Sequence, residues 1–200
     1  LVGSEMCIRD RVGTAMGTPC ACIYATIFFA FYERMYLLQR FKDNILYYGR
    51  QIDDILLIWN KGTETSNKPQ FQNFYATLNA VSKLSWTTDG LQTSVNFLDL
   101  TIFLDNNNFI QTKTFQKQHN LFLYIPPHSA HPPGITKSLI YGLLQTYWLQ
   151  NSSKNNFLLN TKKIFQRLCN RGHSPTTILP LFHQCIEKIT NKVKLSNNHN

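Results

Sequence analysis

Arg50-Gln51-Ile52-Asp53-Asp54-Ile55-Leu56-Leu57-Ile58-Trp59 is the stretch on which the fold turns, because it changes within ten residues from a polar pair of carboxylates to an unbroken apolar run. The apolar run Ile55–Trp59 is mirrored by Ile45–Tyr48 on the other side of Gly49-Arg50-Gln51-Ile52-Asp53-Asp54. Two short runs rich in β-branched and aromatic residues, separated by polar ones, predict a β-hairpin with the aspartates at its tip. The strands are too apolar to be exposed, which places at least one aspartate on a rigid element.

Adjacent carboxylates on such a tip suit a hard divalent cation. Mg²⁺ keeps several waters and binds through one or two carboxylates plus substrate phosphates, the arrangement used in two-metal phosphoryl transfer. The same dipeptide is also a common turn, since aspartate satisfies backbone groups at turns. Both readings stand on the dipeptide alone.

Outward from the hairpin, 18–41 reads as one helix with Pro19 in its first turn and Gly13 and Gly17 just before it. Its run from Cys20 to Tyr32 is too short for a bilayer core of about 30 Å and is closed by Glu33 and Arg34, which predicts a buried helix. The polar stretch 60–69 reads as a loop, and apolar residues at 71, 74, 75, 78 and 81 predict a helix over 71–84. Val95 to Leu104 reads as a strand, Asp105-Asn106-Asn107-Asn108 as a turn, and Phe109 to Phe115 as the returning strand. Pro126, Pro127, Pro132 and Pro133 break regular structure over 119–134. Three amphipathic helices are expected beyond them, at 134–148, 156–169 and 174–194. The fold class expected is α+β, an antiparallel sheet backed by helices over 13–118 and an all-helical region over 135–200.

Lysine and arginine number 20 against 11 acidic residues, a net charge of +9, with 43% hydrophobic residues. That composition excludes disorder as the default and points to a polyanionic partner. Five cysteines without a regular framework fit a reducing intracellular compartment. Cys169, His173, His183 and Cys185 have no standard zinc spacing and read as helix packing and surface histidines. Residues 1–12 resemble a translated sequencing adapter and are set aside from fold reasoning.

Four stretches together resemble reverse transcriptases, especially the Penelope-like and related retroelement group. Gly13-Thr14-Ala15-Met16-Gly17-Thr18-Pro19-Cys20-Ala21 is similar to the glycine-containing palm motif that opens a long helix. The Arg50–Trp59 stretch resembles the catalytic hairpin. Phe97-Leu98-Asp99-Leu100-Thr101-Ile102 resembles the strand that leads to the primer grip, and Ser129-Ala130-His131-Pro132-Pro133 a segment that follows it. Order and spacing agree across roughly 13–150.

The resemblance implies the latter half of a polymerase palm joined to a thumb. It makes Asp53 a ligand and Asp54 a supporting carboxylate of a site that holds two Mg²⁺ ions in the complete enzyme. Gly13, Met16, Gly17, Thr18, Pro19 and Gln51 would face nucleotide or template, Lys113 and Lys117 the primer. Lys83 is the candidate proton donor to pyrophosphate. The partners implied are an RNA template, a DNA primer or RNA–DNA duplex, and deoxynucleoside triphosphates, with no membrane. Lys137, Lys154, Lys162, Lys163, Arg167, Arg171, Lys188, Lys192 and Lys194 would hold duplex phosphates. Tyr124, Tyr141, Tyr147 and Trp148 could stack on bases or sugars, but aromatic residues at helical spacing are more often core.

Two departures qualify the match. Gln51 stands where the family has an aromatic residue, and the first palm motif, with its metal-binding aspartate, does not precede Gly13. The chain is therefore expected to be inactive by itself. The alternatives are a non-catalytic nucleic-acid-binding relative and, less supported by neighbouring ligands, a metal-dependent nuclease.

Overall fold

A computed structural model describes residues 18–60, 64–82 and 84–197. It is an α+β structure: among the described residues there are five α-helices, one π-helical segment, and two small antiparallel sheets. The chain divides into two compact units at Gln92/Thr93.

In the first unit, α1 (Ala21–Tyr32) continues into a π-helical segment (Glu33–Leu38). β1 (Ile45–Gln51) and β2 (Asp54–Trp59) form the hairpin, in register from Ile45 opposite Trp59 to Gln51 opposite Asp54. α2 (Glu64–Ser82) follows. Leu37, Phe41, Trp59, Phe74 and Leu78 close the core. Its aromatic rings meet mostly edge to face, the Trp59 centroid lying 5.4 Å from Phe74 and 5.7 Å from Phe71, which adds to simple area burial.

Two expectations fail here. The loop expected over 60–69 gives way to helix from Glu64, with Pro69 inside it; at the sixth position the ring removes one backbone hydrogen bond and crowds the carbonyl four residues back, yet the helix runs on through it. The apolar helix expected to be buried is not: Ala21–Tyr32 contains no buried residue, and Ile23 and Ile27 are 60% and 63% exposed. The helical stretch Ala21–Leu38 is also long and apolar enough to cross a membrane by length and composition alone, against the shorter span read from the sequence. Its packed end is the π-helical one, where Leu37 is fully buried. Periodicity reports an apolar face without saying what covers it.

The second unit holds a three-stranded meander, β3 (Ser94–Phe97), β4 (Leu100–Leu104) and β5 (Ile110–Thr114), and three helices, α3 (Ile135–Gln150), α4 (Lys154–Asn170) and α5 (Pro175–Asn197). The strand expected over 95–104 is two strands, because Leu98 takes φ 54 and Leu98-Asp99 turns the chain so that Phe97 opposes Leu100. The Asp105 turn is as expected: its carboxylate accepts from the amides of Asn107 and Phe109. These hydrogen bonds, Phe109's foremost, hold the carboxyl below its usual pKa.

The helices bury residues at spacings of three and four: Ile140, Leu144 and Tyr147 on α3; Phe157, Asn160, Ile164 and Leu168 on α4; Ile178, Phe182, Cys185 and Ile189 on α5. Tyr141 and Trp148 pack partly buried against them, as helical spacing suggested, and Tyr124 does so from outside any helix. Burial pushes the Tyr147 hydroxyl and the Cys185 thiol up from their usual pKa values. Sheet and helices are tied together at the edge strand. The Thr112 amide donates to Ser152 Oγ at 2.9 Å and the Thr114 amide to Asn151 Oδ1 at 3.1 Å, so the loop after α3 satisfies backbone that an open edge would leave exposed. α4 ends at Gly172, φ 95, where the His173 amide reaches back to the Leu168 carbonyl and the Gly172 amide to Cys169. That turn lets Arg171 Nε donate to the Tyr124 carbonyl and places the His173 ring on Ile125, pinning the proline-rich segment.

Candidate functional site

β1 and β2 are joined by a two-residue turn, Ile52-Asp53, with Gln51 and Asp54 paired beneath it. Ile52 has φ 55. Positive φ at the first central residue alone is the signature of a type II′ turn, which matches the right-handed twist of the strands but normally takes glycine. A β-branched residue there is a true conformational outlier. Gln51, Asp53 and Asp54 are all exposed at the tip. The hairpin therefore presents two consecutive carboxylates to solvent on a short, strand-anchored turn.

The turn is braced from below. Arg50 Nε donates to Glu33 Oε1 at 2.5 Å and Nη2 to Glu33 Oε2 at 3.4 Å; Nη2 also reaches the Thr26 carbonyl at 3.2 Å. Nη1 donates to the Ile52 carbonyl at 3.1 Å. The guanidinium lies 5.1 Å from the Phe29 ring centroid, a cation–π contact that closes the remaining side. The Tyr48 hydroxyl donates to the same Glu33 Oε1 at 2.7 Å. Burial, reinforced by that bond and by Glu33's charge, pushes the Tyr48 hydroxyl well above the ordinary tyrosine range. Both charged side chains are buried, 5% exposed for Arg50 and 11% for Glu33.

Sequence reasoning did not assign Glu33, Tyr48 or Arg50. A signal was present: each charge interrupts an apolar stretch, Glu33 at the end of the helical run and Arg50 inside a strand. Charges in such places are rarely retained unpaired, but nothing local says that the two pair with each other across 17 residues.

Of the other expected site residues, Thr18 and Pro19 sit at the approach to α1, where the Ala21 amide donates to the Thr18 carbonyl. Gly13, Met16, Gly17 and Lys83 lie outside the described residues. Lys113, on β5, places its ammonium 5.3 Å from the Phe103 ring centroid, and Lys117 is exposed after the strand; both belong to the second unit. Among the described residues no group of three or more histidine, cysteine, aspartate or glutamate side chains is placed to hold a metal ion.

Charge is divided unevenly. Residues 93–200 carry eleven lysines and arginines against three acidic residues, so nearly all of the net charge belongs to the second unit. Lys117, Lys154, Lys162 and Lys163 are exposed. Two arginines counted with them are engaged internally instead. Arg167 stacks on Phe122 and donates to Gln116 Oε1 at 2.8 Å, and Arg171 holds Tyr124. Lys137 donates to Gln184 and Lys188 lies over Tyr141.

No protein family, curated protein or solved structure matches the chain significantly.

Proposed function

We propose that the chain is part of a reverse transcriptase, an RNA-directed DNA polymerase whose complete form extends a primer 3′-hydroxyl with deoxynucleoside triphosphates on an RNA template. In this reading the first unit and the meander are palm and the helices after 134 are thumb. The observation that carries the reading is the aspartate hairpin, with adjacent exposed carboxylates on a strained two-residue turn that a buried ion pair braces. An ordinary surface turn has no need of such support, and strain of this kind collects at functional sites.

Asp53 and Asp54 fit Mg²⁺ as part of a ligand set: they offer hard oxygens on a short turn, with open space for water and phosphate oxygens. Asp53 would bind the ion directly and Asp54 would support it. When bound, the ions supply the activated hydroxyl and neutralise charge on the leaving oxygens. The chain's own part is to hold the carboxylates still and to offer exposed lysines, Lys117, Lys154, Lys162 and Lys163, to duplex phosphates. Those lysines equally favour a second reading, a relative that binds nucleic acid without catalysis.

One experiment separates the two: Mg²⁺-dependent extension of a DNA primer on an RNA template, by the protein expressed from its full coding sequence. Extension is expected, and Asp53→Asn should abolish it. Unchanged extension by Asp53→Asn refutes the metal role; binding without any extension leaves the non-catalytic reading.

A further inference from the structure

We infer that Arg50 is the positioning residue of the aspartate pair: gripped by Glu33, its guanidinium holds the Ile52 carbonyl and so fixes the turn that aims Asp53 and Asp54. The inference rests on the metal reading of that pair given above.

The geometry is that of a bracket. Every nitrogen of the guanidinium is used, and the four bonds tie three pieces of chain: Nε and Nη2 the π-helical Glu33, Nη2 also the Thr26 carbonyl of α1, and Nη1 the turn itself. A planar fork can make these bonds at once in one rigid plane; a lysine ammonium could keep the charge pair but not span all three. The bracket also answers a local need. Leu98-Asp99 forms a turn with the same positive φ and carries no comparable arginine bond among the described residues. Leucine, however, is not β-branched, whereas isoleucine at φ 55 is the more strained. Strain of that kind persists only where surrounding structure over-determines it. Glu33's placement on a π-helical turn fits the same purpose, since such turns redirect a side chain out of the regular helical register and recur at functional sites.

The bracket acts on the metal site as outer partners act on ligands generally. Groups that orient metal-binding carboxylates are worth about 10–100-fold in metal affinity. Loss of Arg50 should therefore weaken divalent-ion binding at the tip without removing a single ligand.

The test uses the 200-residue chain, with Arg50→Lys and Glu33→Gln, the latter keeping an acceptor for Nε. Three NMR readouts are taken: amide exchange across the β1–β2 ladder for hairpin integrity, the intraresidue HN–Hα NOE of Ile52, strong at its positive φ, and Mn²⁺-induced broadening at Asp53 and Asp54. Arg50→Lys is expected to keep the ladder protected, weaken the Ile52 NOE, and weaken the Mn²⁺ response by about 10–100-fold; Glu33→Gln is expected to do the same to a smaller extent. An unchanged Ile52 NOE in both variants, with the ladder intact, overturns the inference. If the unsubstituted chain shows no Mn²⁺ broadening at the tip, the claim that Arg50 sets metal affinity in this chain is overturned, while the Ile52 NOE still decides whether Arg50 holds the turn and the primer-extension test still decides the metal reading.

Discussion

Glu33→Ala should cost the first unit a large share of its stability. The substitution leaves Arg50, 5% exposed, as a buried cation without its carboxylate, and removes the acceptor of the Tyr48 hydroxyl. Removing one member of a buried pair costs about 3–5 kcal/mol, because the survivor keeps its desolvation penalty and loses its compensation. A domain gains only about 0.05–0.15 kcal/mol per residue in total, about 5–14 kcal/mol for a unit that ends at Gln92, so a loss of that size is a large share of it. The pair as a whole is a different matter: Glu33→Leu with Arg50→Met exchanges both charges for apolar groups and should recover most of that loss, the Tyr48 hydroxyl left without its acceptor keeping a cost of about 1–3 kcal/mol. Because two units need not unfold together, the measurement should be local, amide exchange of Tyr48, Arg50, Leu56 and Leu57 over a urea series. A cost below about 1 kcal/mol for Glu33→Ala, or a double variant as unstable as the single one, would refute the argument from burial. The double variant has a further use. It should keep the hairpin and still show the weakened Mn²⁺ response, because stability and turn geometry depend on different bonds of Arg50.

Two more outcomes are expected. The Tyr48 hydroxyl is held above its unfolded value, so its contribution to stability is complete below about pH 10 and is lost as pH rises from there toward the folded value; Tyr48→Phe should flatten the alkaline fall in an unfolding series, and an identical fall would exclude Tyr48 as its source. Lys162→Ala with Lys163→Ala should weaken binding of RNA–DNA duplex about equally for all sequences and lower the slope of log K against log salt by up to about one per lysine, read by fluorescence anisotropy; an unchanged slope would remove α4 from the phosphate-binding surface.

How legible the fold was depended on the range of the interactions that make it. α3, α4 and α5 follow from apolar residues three and four apart, a pattern with its cause inside the segment. The Asp105 turn was readable for the same reason, since the aspartate bonds amides two and four residues on. Val95–Leu104 misled because its composition is that of a continuous strand; Leu98's positive φ is an adjustment that pairing with β4 imposes. The aspartates were legible as a hairpin tip, whereas their support was not, because an ion pair across 17 residues leaves no periodicity to read.

What the amino-acid order determined by itself is local: the amphipathic helices, the hairpin with Asp53 and Asp54 at its end, and a net positive charge concentrated after residue 92. What tertiary structure alone decided is which groups are brought together. It left the apolar face of α1 uncovered at Ile23 and Ile27 while burying Leu37, it engaged Arg167 and Arg171 internally, and it joined Glu33, Tyr48 and Arg50 beneath the turn. The physical reason is common to all three. Secondary structure depends on spacing along the chain, but burial and ion pairing depend on distance in space, and only packing turns one into the other.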